Sequence, residues 1–216
     1  MVMLSVMIKS RSFKHGWWYH YRVHTHKLKN LAEDFPGLQG FLDSVFNSCP
    51  DNYFERGPRG SKFKMKLPVD LIHADGHEIN SLTVAGLEAN KDRYKSAHSK
   101  VQVFMLENDS KTVAMEVPLW LMPEELDSDL FSIDEPFTGH IDLLTIEDGK
   151  IWVWDYKPNA SLEKYASTQV FMYALMLSKR TGIPLDNFRC GYFDSANAYI
   201  FKPDAQVLKG SLKDFC

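Results

Sequence analysis

The chain has 216 residues, enough for one domain with a substantial buried core, and its 25% charged and 13% aromatic content is that of an ordered globular protein. The formal net charge of −3 excludes a nucleic-acid binder that works through a whole-protein basic field, so any such contact must come from local patches. Cys49, Cys190 and Cys216 are far apart and form no Cys-x-x-Cys pair, which argues against a disulfide framework, a structural zinc or an iron–sulfur site.

The apolar start, Met1 to Ile8, is short and runs into basic residues, and no later stretch approaches the length of a membrane span. The reading is a soluble protein, not secreted, in a reducing intracellular compartment. Residues 9–29 hold Lys9, Arg11, Lys14, Arg22, Lys27 and Lys29 with no acidic residue, interleaved with Trp17, Trp18, Tyr19 and Tyr21. Basic charge mixed with aromatics suits phosphate contact and base stacking. The alternative, a solvated element whose aromatics belong to the core, is preferred at this point. His15, His20, His24 and His26 cluster in the same stretch, but their spacing matches no zinc-finger pattern. A second basic run, Arg59, Lys62, Lys64 and Lys66, lies in a segment broken by Gly and Pro, and reads either as a solvated loop or as a groove that tracks a phosphate backbone.

Apolar residues at near-helical spacing over residues 82–107 predict one long helix carrying His98 towards its apolar face. Thr112 to Leu121 alternates as a strand, with Val113, Met115 and Val117 on one side and Glu116 on the other. Pro123 to Pro136 is acidic and loop-like, a candidate flexible insertion beside a site. Residues 137–146 and 151–156 form two strands joined by Glu147-Asp148-Gly149-Lys150 as a hairpin. Residues 163–180 read as a helix, with Gln169 and Tyr173 one turn apart, and residues 188–193 and 198–201 as closing strands. The fold class is α/β: a layered sandwich with a mixed central sheet and the acidic strands at its centre. Residues 1–80 stand apart as an N-terminal extension or cap, residues 81–203 as the core, and residues 204–216 as a tail.

Two carboxylates sit where the surrounding sequence asks for burial. Asp142 follows Gly139-His140-Ile141, and Asp155 ends the apolar approach Trp152-Val153-Trp154. A carboxylate at the end of a buried strand needs a partner. Lys157 emerges on the same face as Asp155, at i and i+2. Two carboxylates and a lysine can hold a divalent metal and handle a water, and they can also form an ion-pair network; the residues alone leave both open. His98 by itself reads as an ordinary core or surface histidine, and Glu116 as an unremarkable half-exposed strand residue.

Gly139-x-x-Asp142, then Asp155-Tyr156-Lys157, then Gln169-x-x-x-Tyr173 resembles the RecB-type branch of the PD-(D/E)XK nuclease superfamily, which includes CRISPR-associated adaptation exonucleases and phage recombination exonucleases. The resemblance covers residues 82–201 and implies a restriction-endonuclease-like core in the order helix, three strands, helix, strand. It implies that Asp142, Asp155 and the backbone carbonyl of Tyr156 bind Mg²⁺ or Mn²⁺, with His98 as a further ligand, reversing the bland reading of that histidine. Lys157 would orient or deprotonate the attacking water or stabilise transition-state charge. Gln169 and Tyr173 would support the site and the nucleic acid, and Glu116 occupies the place of an acidic strand residue. Oxygen ligands with one imidazole suit those hard metals. With three cysteines where a cluster needs four, no iron–sulfur cluster is expected. The activity implied is a metal-dependent deoxyribonuclease, an exonuclease on single-stranded or end-exposed DNA in repair, recombination or mobile-element processing. Its setting would be cytoplasmic or nucleoid, and the resemblance leaves room for oligomerisation or a helicase-type partner. The alternative is a catalytically inactive DNA-end-binding module on the same fold.

Overall fold

The structure is a computed structural model that describes residues 7–62, 64–125 and 135–211, without the side chains of Arg56 and residues 209–211. Residues 1–6, most of the acidic segment expected as an insertion (126–134) and the last five residues of the tail, with Cys216, lie outside the described residues.

The centre of the molecule follows from one tight turn. Asp148 and Gly149 both have left-handed φ, +51° and +64°, the combination a two-residue type I′ hairpin requires. They join β5 (Phe137–Glu147) to β6 (Lys150–Tyr156) with Glu147 opposite Lys150. On the outer side of β5 runs β4 (Thr112–Leu121), antiparallel. On the outer side of β6, β7 (Phe188–Phe193) pairs in parallel, reached through the crossover helix α6 (Ala166–Thr181), and β8 (Ala198–Phe201) returns antiparallel. A crossover element is what a parallel pair needs. The two acidic strands thus occupy the middle of the sheet, as the sequence predicts.

The first seventy-odd residues extend the same sheet. β1 (Ile8–His15) and β2 (Trp17–His24) form a hairpin whose second strand pairs with β4, and β3 (Ile72–His73) pairs with β8 at the opposite edge. The eight strands run in the order β1-β2-β4-β5-β6-β7-β8-β3. α1 (Thr25–Leu31), α2 (Pro36–Ser48) and α3 (Tyr53–Arg56) complete this part, and Leu28, Leu38, Leu42 and Val45 join the same apolar layer as Val153, Val170 and Phe171.

The expected long helix is two helices, α4 (Glu78–Ala89) and α5 (Ala97–Asn108). Asn90 ends the first with backbone bonds to Gly86 and Glu88 and anchors the turn by donating Nδ2 to Lys100 O at 2.9 Å, while Ser96 Oγ caps the second by accepting from Ser99 N at 3.0 Å. Side-chain capping of orphan backbone groups outweighed the continuous apolar spacing. The helix read from Glu163 starts at Ala166, after a 3-10 turn at Ala160–Leu162. A short helix α7 (Gln206–Ser211) closes the described chain.

α1, α2 and α6 cover one face of the sheet and α4 and α5 the other, each over its own apolar layer. Along β6 the layers alternate as a strand should: Ile151 and Val153 face α6, while Trp154 and Tyr156 belong to the other layer. On β4 and β5 the alternation breaks. Met115 and Leu143 lie in the α5 layer, but Val117 and Ile141, two residues away on each strand, lie in the α6 layer. The break on β4 coincides with Glu116, whose φ of +52° is unusual for a residue with a Cβ. Val113, Met115 and Val117 therefore do not share one face, correcting the expected simple alternation.

Candidate active site

The broken alternation places Glu116 and Asp142 side by side, between Met115–Val117 and Ile141–Leu143, where pairing of β5 with β6 has also ended at Leu143. Beyond that point the strands part and a cleft of about 460 Å³ opens, lined by Glu116, Asp142, Asp155, Lys157, Gln169 and Tyr173 with His98 at its rim. Asp142 Oδ2 accepts the backbone N–H of Tyr156 at 2.8 Å, and His98 Nε2 lies 3.8 Å from the same oxygen. His98 is the second residue of α5, so the positive end of that helix faces the carboxylates. On the opposite side, Asp155 is buried, with Lys157 Nζ 2.5 Å from Oδ2 and Gln169 Nε2 donating to Oδ1 at 2.9 Å. Gln169 Nε2 also lies 3.1 Å from the Tyr173 hydroxyl, as expected for two residues one helical turn apart.

Gly139 has a steric reason in this arrangement. A Cβ there would fall 2.2 Å from Cε1 of Tyr173, so the tyrosine fits only against a bare backbone. A Cβ at Gly60 would meet the same ring at 2.6 Å.

The electrostatics are those of too much negative charge in too little water. Burial, then the charge of Asp142, pushes the Glu116 carboxyl up to about 8, partly offset by the Gln102 amide. Burial and Asp142 push Asp155 up to about 7 against the opposing pull of Lys157. Burial alone would lower Lys157, but Asp155 and Asp142 raise it overall, so it stays an ammonium ion. Glu116 Oε2 is buried and accepts no hydrogen bond among the described residues. An orphaned carboxylate oxygen beside two further carboxylates is suited to a cation, and oxygen donors with one imidazole fit a hard divalent metal. Glu116, read from sequence as ordinary, is buried at this centre and held far above the usual carboxylate range.

Sequence reasoning missed the wall next to this centre. His140 Nε2 lies 2.9 Å from His15 Nδ1, and His15 Nε2 3.1 Å from Asp51 Oδ1. The imidazole of His140 stacks on Tyr19 at 3.7 Å and that of His15 on Phe54 at 3.7 Å. Burial lowers both histidines, keeping them neutral. Among the described residues, three potential metal-ligand atoms fall within 4.8 Å of one another at His15, Cys49 and Asp51, none of them an expected ligand. Burial and Asp51 push the Cys49 thiol up to about 12, so it holds its proton. The other N-terminal histidines disperse: His24 caps α1, His20 pairs with Ser12 and His26 with Asn30. Trp17 and Trp18, preferred as core, are 80% and 63% exposed and line the cleft.

Comparison with known proteins agrees with the geometry. The model of the PD-(D/E)XK nuclease superfamily matches residues 74–213. Among solved structures, that of SSO0001 is similar at 12% identity over 82% of this chain and 82% of that one, with a TM-score of 0.37, too low to carry an argument. No curated protein matches.

Proposed function

This chain belongs to the PD-(D/E)XK nuclease superfamily, and from that premise we propose that it is a Mg²⁺- or Mn²⁺-dependent deoxyribonuclease of the RecB-type branch, acting as an exonuclease on single-stranded or end-exposed DNA. The observation that carries the proposal is the convergence of Glu116, Asp142 and Asp155 with Lys157 in one cleft, with a buried carboxylate oxygen left unpartnered. The linked Asp155–Gln169–Tyr173 group supports the assignment to that branch. A role in repair, recombination or mobile-element processing, and with it an intracellular setting, rests on the family resemblance. The described residues contain no helix long and apolar enough to cross a membrane.

Asp142 and Asp155, the Tyr156 carbonyl and His98 would hold the metal, with Glu116 within the same field. A bound Mg²⁺ or Mn²⁺ supplies a more acidic water and neutralises charge on the nonbridging phosphate oxygens. The chain's own residues do the rest. Lys157, held as an ammonium by the two aspartates, donates to the attacking water or to a nonbridging oxygen. Water adds to phosphorus and gives up one proton, the P–O bond to the leaving strand breaks, and the leaving oxygen takes up one proton, so that none is gained or lost overall. Gln169 fixes the rotamer of Asp155 by donating to Oδ1, so the other oxygen points at Lys157.

The test is cleavage of 5′- and 3′-labelled single- and double-stranded DNA in Mn²⁺ or EDTA. Wild type is expected to cut only with metal, and Asp155→Ala to be slower by at least about 10³-fold. Equal rates for the two proteins would remove the proposal, and DNA-end binding without cleavage on any substrate would favour the non-catalytic reading.

A further inference from the structure

Two exposed tryptophans at the mouth of a polar cleft are not explained by the carboxylates inside it. Trp17 opens β2 directly after Gly16, whose φ of +81° lets the chain reverse over a single residue. The hairpin tip is clamped: Arg59 donates to His15 O, and to Phe54 O at 3.0 Å. The indoles therefore stand on an anchored support, 80% and 63% exposed, with no element covering them among the described residues. Both line the same cleft as Asp142, Asp155 and Lys157.

A second cavity of about 650 Å³ adjoins the first and is lined by Lys62, Lys64, Glu163 and Tyr165. Ser61, Lys157 and Gln169 line both cavities, so the two meet beside Lys157. Lys62 and Lys64 are exposed and make no ion pair among the described residues. The groove of the joined cavities thus carries two exposed indoles with Arg59 at one part of its lining, and Lys62 and Lys64 with Tyr165 and the single carboxylate of Glu163 at the other, and the cavities share Lys157.

We infer that this groove is a track for an unpaired DNA strand, in which Trp17 and Trp18 stack the bases on one side of the scissile phosphate and Lys62 and Lys64 hold the phosphates on the other. Base faces are free to stack on a side chain only where the strand is unpaired, since a duplex hides them between neighbouring pairs. Lysines supply the sequence-independent backbone contact that a chain of net charge −3 lacks overall. The inference rests on the reading of the cleft as a nuclease site and assigns that site its substrate form.

The experiment measures binding, separately from cleavage. Fluorescence anisotropy of labelled oligo(dT) and of a blunt duplex is followed in EDTA with the full chain. Trp17→Ala/Trp18→Ala is expected to weaken oligo(dT) binding about 10- to 100-fold and duplex binding by less than about 3-fold. Trp17→Phe/Trp18→Phe, which keeps a flat face, restores most of the loss. Lys62→Ala/Lys64→Ala is expected to flatten the dependence of log K on log salt by about 1.4, two contacts on a single strand. Circular dichroism checks that each variant is folded. Oligo(dT) binding by the alanine pair within about 3-fold of wild type, an equal loss on both substrates, or no binding of oligo(dT) by wild type would each overturn the inference. If wild type cleaves while the tryptophan variants bind unchanged, the track falls and the nuclease stands; if the binding pattern holds and no metal yields cleavage, the nuclease falls and the track stands.

Discussion

His140 and Asp142 stand two residues apart on β5, and each heads a buried polar cluster. Around His140 the polar contacts are mutually satisfied: an imidazole pair at 2.9 Å, a link from His15 to the Asp51 carboxylate at 3.1 Å, and two stacking contacts at 3.7 Å. Around Asp142 three carboxylates share one lysine, Glu116 and Asp155 are pushed far above the carboxylate range, and one oxygen finds no donor. Burial acts on both clusters with the same sign, disfavouring charge. The histidines answer it by staying neutral and bonding each other. The carboxylates cannot all do so, because each raises the cost of charging its neighbours. A polar cluster that is internally complete is structural support; one that lacks a countercharge is built to receive one.

Three perturbations test that contrast. The largest effect is expected from breaking the complete cluster. His15→Ala leaves His140 Nε2 without its partner and empties space beside Phe54, so stability should fall by about 2–4 kcal/mol in denaturant titration, with little change in turnover per folded molecule. A variant of wild-type stability would show that the histidine pair supports nothing. Next, Gln169→Ala removes the donor shared by Asp155 and Tyr173. Cleavage should slow by about 10-fold while the thermal midpoint moves little, a split that separates positioning from folding.

The smallest shift is expected from Glu116→Gln in metal-free protein. The folded carboxyl, raised to about 8 from its ordinary 4.5, holds its proton where the unfolded one has lost it. This group's contribution to stability is therefore full below about pH 4.5 and is lost as pH rises through about 8. Glutamine removes the loss, so the variant's midpoint should exceed wild type by at least about 3 °C at high pH and match it near pH 4. Addition of Mn²⁺ should narrow the gap by stabilising the wild type. A gap that is the same at both pH values would mean that Glu116 does not titrate in the fold.

The legible parts of the fold were those written in local chemistry. Asp148-Gly149 fixed a hairpin and its register, and Gln169 and Tyr173 announced a shared helix face by spacing alone. The division of α4 from α5 was also written locally, in Ser96-x-x-Ser99 and Asn90, and was hidden by apolar residues that continued the helical period across the turn. Two things were not local. The reversal of faces at Glu116 depends on a backbone conformation that a glutamate does not advertise. Likewise, the pairing of β2 with β4 joins residues about ninety positions apart, so the local chemistry around Trp17 and Arg59 offered a nucleic-acid reading without locating either residue at the cleft.

Among the described residues the sheet ends at β1 on one side and at β3 on the other, and each edge discourages growth in its own way. β3 is two residues long, too short to template a further strand. β1 is longer and lies at the outer edge, but it carries Lys9, Arg11 and Lys14 along an exposed stretch. A second copy adding there as an antiparallel strand would bring like charges together across a spacing of about 5 Å, and would also have to accommodate the ion pair of Lys9 with Asp43 and the bond of Arg11 to Phe46 O. The basic residues of the first strand thus act as gatekeepers against edge-to-edge polymerisation, a protection that holds whether or not the cleft is filled.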